Sequence, residues 1–398
     1  MPPAALILAA LTLLIWIALT FFRGAFWQLR QFDDDIAPHE PPAAWPRVVC
    51  VMPARNEAET IVRAVASLAK QNYPGSLHIV IVDDQSEDAT SELAKAAAQE
   101  AGAANRVEIM RAAALQSGWT GKMWALQQEI ESRQQDSPEY FWFTDADIVH
   151  APDTLSRLVS RAEQLHADLV SLMVLLQAKS FPERLLMPPF LYYFLMLYPP
   201  KWIPDAAAKT AGAAGGCILL RRTALERIGG FAAIRAEVID DCALARAVKG
   251  SAGTVWMGLT RKSVSLREYQ TFAEVRDLIA RTAFTQLKYS PLLLLGTLAG
   301  MLLTYIAPVI VAFHPQPAVW RMGLAAWLLM ALTYLPTVRF YGLSPLWAPF
   351  PPVAAAFYSY ATWLSAVRYW RGRGGQWKGR AQAVRATRSA GADSKLPL

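Results

Sequence analysis

The chain has 398 residues, of which 54% are hydrophobic and 18% charged, and its 39 Lys and Arg against 32 Asp and Glu leave a formal net charge of +7. An apolar share above the roughly 45–50% of soluble domains excludes disordered, collagen-like and ordinary soluble proteins, and the length suits one large domain plus membrane segments. The cysteines, Cys50, Cys217 and Cys242, form no CxxC or Cys/His cluster, which excludes a disulfide framework or a structural zinc site and leaves them as small core residues.

Residues 4–22 carry no charge, and a helix of that length rises about 28 Å, close to the hydrocarbon thickness of a bilayer. Met1-Pro2-Pro3 lacks the basic start of a secretory signal and Phe21-Phe22-Arg23 lacks its cleavage site, so residues 1–24 read as an uncleaved anchor. Arg23 and Arg30 follow, and the positive-inside rule puts the next part of the chain in the cytoplasm. After an acidic, Pro-rich linker at 33–46, residues 46–265 alternate short apolar runs with helical stretches. The runs 48–52, 78–82, 107–110 and 141–144 read as buried strands. Ile61, Val65 and Leu68 mark a helix, with Asn56 as its N-cap and Glu59 three residues on. The alternation predicts an α/β domain with a mainly parallel central sheet.

In such sheets ligands bind beyond the carboxyl ends of the strands. Three successive strand ends carry carboxylates: Glu57, then Asp83 and Asp84, then Asp145 and Asp147. A single one would be an ordinary turn or cap residue, whereas three in order point to a site. Asp145 and Asp147 set two hard oxygen donors in one turn, suited to Mg²⁺ or Mn²⁺ bridging to a diphosphate. Lys122, behind Gly118 and Gly121, is a candidate phosphate contact without the P-loop spacing. His150 reads as a plain loop histidine. Gly215 and Gly216 precede the apolar run 217–220, read as leading into a helix that Gly229-Gly230-Phe231 closes. Asp240 and Asp241 open a further helix, where one is expected to cap it and the other to be free as a general base toward an acceptor hydroxyl.

Residues 181–204 are aromatic and interrupted by Pro, with Arg184 and Lys201 alongside, as expected of a segment at the headgroup level of a membrane. Residues 266–290 predict an amphipathic helix lying on that surface, with Phe272, Val275, Ile279 and Leu287 near one face. The stretch 291–367 holds three apolar segments, at 291–313, 322–338 and 346–367, before a basic tail at 368–398 that contains Arg368, Arg371, Arg373, Lys378, Arg380, Arg385 and Arg388. A cytoplasmic domain and a cytoplasmic tail require an even number of crossings between them. The weakest of the three segments is the last, broken by Pro345, Pro349, Pro351 and Pro352.

The motifs PARNE at 53–57, VDDQSEDAT at 82–90, GK at 121–122, DAD at 145–147, GGCILLRRTALERIGGF at 215–231 and DDCALA at 240–245 together resemble, in order, the family 2 inverting glycosyltransferases of GT-A fold. The anchor, RTAFTQLKYS at 281–290 and the C-terminal segments make the chain most similar to the hopene-associated glycosyltransferases of hopanoid-producing bacteria. The resemblance implies a nucleotide-sugar donor, typically a UDP-sugar, with Glu57 and Asp84 at the nucleoside, Asp83 beside them and Lys122 at the base or diphosphate. It further implies Asp145 and Asp147 as holders of the metal, Asp241 as catalytic base, and Asp240, Gly215 and Gly216 on the acceptor side. Asp240 stands where the family has Glu. Processive members carry Gln-x-x-Arg-Trp. This chain has Arg281-Thr282-Ala283-Phe284-Thr285-Gln286 without the Trp, so single-sugar transfer is implied, with Arg281 left to neutralise the leaving diphosphate.

The implied acceptor is a membrane lipid hydroxyl, a hopanoid on the narrowest reading and a polyisoprenyl phosphate or glycerolipid otherwise. The implied place is the cytoplasmic face of the bacterial inner membrane. A non-catalytic scaffold that retains the fold is the rival reading. A nucleotidyltransferase would need a basic triphosphate loop where PARNEAET stands. Because the basic residues gather beside apolar segments, an anionic lipid surface and no nucleic acid is the expected partner of the net charge.

Overall fold

The computed structural model describes residues 3–33, 41–132, 138–372, 376–377 and 380–381. The chain opens on α1 (Pro3–Phe22), then enters the α/β domain, where β1 (Val48–Ala54), α2 (Ile61–Ala69), β2 (Leu77–Asp83), α3 (Thr90–Glu100) and β3 (Val107–Arg111) form a parallel unit. Next come α4 (Gly121–Ser132), β4 (Tyr140–Thr144), β5 (Ile148–His150), α5 (Thr154–Gln164), β6 (Leu169–Leu175), α6 (Phe181–Leu197), β7 (Cys217–Arg221), α7 (Arg222–Arg227), α8 (Asp240–Gly250) and β8 (Val255–Ser265). The eight strands lie in the order β3-β2-β1-β4-β7-β6-β8-β5. β7 runs antiparallel to both neighbours and β5 antiparallel to β8, while the other pairs are parallel.

The sheet is covered on both faces, as its unbroken apolar strands require. Along β1, Val49 and Val51 join one core while Val48, Cys50 and Met52 join the other. All three cysteines are buried and free. The four expected strands form within two residues of their expected limits. The run 217–220 is a strand instead of part of a helix, and the helix after it spans only Arg222–Arg227 before Gly229 and Gly230 turn at positive φ. Asn56 does not cap α2, which begins behind Thr60. Its backbone is left-handed (φ 50°), and its side-chain oxygen accepts the Glu87 N–H at 2.9 Å, tying the turn after β1 to the turn after β2.

Beyond the sheet lie α9 (Phe272–Gln286), α10 (Pro291–Met301), a π turn at Leu302–Ile306, α11 (Ala307–Ala312), α12 (Pro317–Phe340) and α13 (Pro351–Trp370). Among the described residues three helices are long and apolar enough to cross a membrane: Ala4–Phe22, Pro291–Ala312 and Pro317–Phe340. Ala9 packs with Val311 and Val319. Trp16 meets Tyr305 edge-on at 5.6 Å and donates its indole N–H to the Thr304 carbonyl at 2.7 Å, within the π turn.

The segment 346–367 becomes α13, which is not one of these three. It covers the apolar face of α9, where Val275 and Ile279 pack with Ala354 and Ala361, the Phe284 N–H donates to Ser365 Oγ at 3.1 Å, and Arg368 reaches Asp277 at 2.6 Å. Val275 and Ile279, expected to face lipid, are thus covered by protein, whereas Phe272 stays exposed. Residues 181–197 form a helix in place of the expected loop. A Ser180/Glu183 capping box opens α6, and Leu186, Met187 and Tyr192 are fully buried while Arg184 and Lys201 stay exposed. Linker residues 34–40 and, in the tail, Arg373, Lys378, Arg385 and Arg388 lie outside the described residues.

Candidate active site

The N-terminal turns of α4 and α8 meet beside the ends of β1 and β4. Lys122, in the first turn of α4, places Nζ 2.8 Å from Asp145 Oδ1 and 3.3 Å from Asp240 Oδ2. Burial works against its ammonium, but Asp145, Asp240 and Asp241 together outweigh this and hold its pKa above the ordinary lysine value.

Asp240 and Asp241 occupy the first turn of α8 behind Ile239, so neither stands at the N-cap position. Asp241 is gripped twice: the Cys242 N–H donates to Oδ1 at 2.7 Å and the Gly215 N–H to Oδ2 at 2.9 Å. Burial, and then the neighbouring Asp240, push its pKa up to about 6, against the pull of Lys122 and the two N–H groups. A carboxylate in that range is ionised at neutral pH yet basic enough to accept a proton from a reacting hydroxyl. Glycine at 215, in the turn before β7, lets the backbone come this close. A Cβ there would sit 3.3 Å from Lys122 Nζ and 3.4 Å from Asp241 Oδ2. Gly216 faces the other way, where a Cβ would press on Val174 at 3.1 Å.

On the opposite wall Arg267 joins two carboxylates. Its Nε donates to Asp147 Oδ2 at 3.2 Å and its Nη2 reaches both Glu57 oxygens at 3.2 Å. Ser265 adds a hydroxyl 3.4 Å from the same Asp147 oxygen. Burial and then Asp145 raise the pKa of Asp147, while Arg267 draws it down. Two like charges facing one hollow are a place where a cation would bind favourably.

The walls enclose a cleft of about 250 Å³ lined by Glu57, Lys122, Asp145, Asp147, Asp240, Arg267 and, from α9, Arg281, with Asp241 and Gly215 in an adjoining hollow. The cleft does not include Asp83 or Asp84. Asp83 accepts the Ser86 N–H at 2.9 Å and the Ser91 hydroxyl at 2.8 Å, and Asp84 is fully buried with its carbonyl bound by Arg55. His150 is a buried residue of β5 and not a loop residue, 2.7 Å from Thr144 Oγ1 and 2.9 Å from Ser263 Oγ, and burial lowers its pKa to about 3. Sequence reading missed Arg267, whose signal is a basic residue just past a strand end, because β8 itself went unrecognised.

Among the described residues no group of three or more His, Cys, Asp and Glu side chains forms a ready-made metal cage. Asp145 and Asp147, two carboxylates lining one hollow, still fit Mg²⁺ or Mn²⁺, which draw their remaining ligands from water and substrate phosphate.

Residues 49–229 match the family model described as glycosyl transferase family 2. No curated protein matches the chain in sequence. Among solved structures, the mannosyltransferase PcManGT from Pyrobaculum calidifontis in complex with GDP-Man and Mn²⁺ is similar at a TM-score of 0.56 and 19% identity, over 90% of this chain and 99% of that one. S. aureus TarS residues 1–349 in complex with UDP match at a TM-score of 0.40 and 12% identity, over 82% and 92% of the two chains. Glucosyl-3-phosphoglycerate synthase from Mycobacterium tuberculosis, in complex with Mg²⁺ and UDP, matches at 0.38 and 17%, over 59% and 77%. The α/β domain thus has a GT-A-like fold with a mostly parallel, curled sheet, and the family 2 glycosyltransferase match lies within it.

Proposed function

We propose that this chain, starting from a family 2 glycosyltransferase domain at residues 49–229, transfers one sugar from a nucleotide-diphosphate donor to a lipid hydroxyl, inverting the anomeric carbon. The observation that carries the reading is Asp241, held by two backbone N–H groups at a pKa of about 6 beside the Lys122–Asp145–Asp240 ion pairs. Asp241 takes the acceptor proton as that oxygen attacks the anomeric carbon from the face opposite the diphosphate. The bond to the diphosphate breaks and its electrons leave with the nucleoside diphosphate, so the enzyme forms no covalent intermediate. Lys122 and Arg281 offer positive charge to the leaving group, a stabilisation realised where charge develops. A Mg²⁺ or Mn²⁺ held by Asp145 and Asp147 would supply further neutralisation of the diphosphate. The complex of the similar mannosyltransferase with GDP-Man and Mn²⁺ is in keeping with such a donor and cation. The absence of the Trp after Arg281 favours one transfer over polymerisation.

A lipid acceptor follows from the three apolar helices that flank the domain in the chain. Two of them follow it, and two crossings return the chain to the domain's own side. With Arg23 and Arg30 beside the first helix, that side is the cytoplasm, where nucleotide sugars are made. A hopanoid hydroxyl is the narrowest acceptor on this reading; a glycerolipid is an alternative, as is a polyisoprenyl phosphate, whose ionised oxygen would need no base.

The test is to incubate the detergent-purified protein with radiolabelled nucleotide sugars and total lipid of a hopanoid-producing bacterium. Labelled lipid is expected, and Asp241→Asn should lower its formation by about 10²–10⁴-fold, with Asp145→Ala also abolishing transfer while the protein still folds. Undiminished turnover in either variant would overturn the mechanism.

A further inference from the structure

A second cavity, of about 390 Å³, shares no lining residue with the cleft. Its walls are the segment Gly24–Gln31 that follows α1, the single turn at Pro200–Trp202 and the β8 residues Met257–Leu259.

These walls are fixed in place. Gly24 is left-handed (φ 59°), and a Cβ there would meet Pro199 at 2.9 Å and the Trp202 ring at 3.0 Å. The Arg23 guanidinium lies 5.0 Å from the Trp202 ring and its Nε donates to the Met196 carbonyl at 2.9 Å. Ala25 (φ 50°) and Leu29 (φ 44°) hold the left-handed region without being glycine, on either side of the turn Phe26–Gln28. Such strain persists only where surrounding packing enforces it, and it gathers at ligand sites. Here Phe26 is buried 5.2 Å from Tyr192, and the Trp27 indole donates to the Thr20 carbonyl at 2.9 Å.

The cavity is two-natured. Leu29, Met257 and Leu259 are buried and apolar, whereas Arg30 and Lys201 stand exposed at its edge. It also begins two residues beyond α1, whose last residues, Phe21 and Phe22, are 68% and 77% exposed. A membrane crossed by α1 would therefore end at this level.

We propose that this cavity binds the headgroup of an anionic phospholipid, its phosphate between Arg30 and Lys201 and its glycerol along Leu29 and Met257. The inference rests on the reading of α1 as a membrane span and is separate from glycosyl transfer. Charge complementarity selects an anionic group. The apolar floor of Leu29, Met257 and Leu259 selects a lipid over a free phosphate, which would leave that surface wetted. A headgroup bound here would fix the height and tilt of the domain against the bilayer.

The test uses the full chain in nanodiscs of phosphatidylglycerol or phosphatidylcholine, with lipids retained after release counted by native mass spectrometry. Phosphatidylglycerol should be retained selectively. Replacing both cations (Arg30→Gln with Lys201→Gln) should weaken its retention by roughly thirty-fold, from about one Lys/Arg contribution each. Gln28→Trp, which fills the cavity and keeps both cations, should do the same, whereas Arg184→Gln, an exposed cation outside it, should not.

Wild-type retention in both cavity variants would overturn the proposal. So would an equal loss with Arg184→Gln, which would mean a diffuse basic surface, or displacement of the lipid by equimolar glycerol phosphate, which would mean a soluble ligand. Nucleotide binding at the cleft, measured on the same samples, should be unchanged throughout. Its absence from the wild-type chain would count against the proposed transferase and leave this site standing.

Discussion

On the proposed reading Asp241 carries a cost as well as a role. Its pKa rises from 3.8 to about 6 on folding, so the folded state holds that proton more tightly than the unfolded chain. Stability from this group is present in acid and lost as pH climbs from about 4 to 6, by up to about 3 kcal/mol at 1.36 kcal/mol per unit. Asp241→Asn should therefore unfold at a higher temperature than the wild type at pH 7 and lose that advantage by pH 4, while the wild-type transfer rate rises with pH through about 6. Thermal unfolding in detergent at several pH values checks the first half, and an advantage of the same size at pH 4 would contradict it. Gly215→Ala probes the same group without changing a charge. Its methyl would crowd Lys122 Nζ and Asp241 Oδ2, so kcat should fall by about tenfold or more, as small misplacements of catalytic groups do, with donor KM little affected.

At the level of elements, the strands legible in the sequence are those whose apolar runs are short and uninterrupted, β1 to β4. β8 escaped because VWMGLTRKSVS breaks its apolar run with Gly258, Thr260, Arg261 and Lys262 as the strand passes from a fully buried half to a partly exposed one. Losing that strand also hid Arg267, the partner of Glu57 and Asp147. The Asn-x-x-Glu signature misled at Asn56 because a tertiary bond to Glu87 wins over local capping. Of the residues that periodicity put on one face of α9, Val275 and Ile279 pack against α13 while Phe272 stays exposed and Leu287 lies past the helix end; a pattern cannot distinguish lipid from α13 as a cover. The carboxylates of the cleft were legible since strand ends in an open α/β sheet converge by topology, whereas Asp83 ends a strand equally well but is held by the Ser86 N–H and the Ser91 hydroxyl. One helix contact invites a direct measurement. At Gly323 in α12 a Cβ would fall 2.6 Å from the Ala312 backbone N, a close approach of the kind that small residues allow between membrane helices. Gly323→Val should force α11 and α12 apart at about 1–3 kcal/mol, seen as a lower unfolding temperature in detergent.

For the whole molecule, α1 and the pair 291–312 and 317–340 form one bundle. The turn at 313–316 lies toward the N-terminal end of α1, where Ala9 packs with Val311 and Val319. The other end of α12 touches the domain, with the Arg261 Nε donating to the Phe340 carbonyl at 3.0 Å. Pro315 and Lys209 should then lie on opposite sides of the membrane. With the native thiols buried, an impermeant maleimide should label Pro315→Cys in intact cells and Lys209→Cys only after lysis. Labelling of both from outside would refute the arrangement. The cleft adds a kinetic consequence. The chain as a whole is cationic, but carboxylates outnumber cations along the cleft lining. On the proposed reading, an anionic donor is drawn in from afar and repelled over the last few ångströms, well inside the ~10 Å screening length at 0.1 M salt. The encounter that leads to binding is thus the one in which donor and divalent ion arrive already paired, and added salt should slow association of the donor, because it screens the distant attraction and leaves the short-range repulsion largely in place.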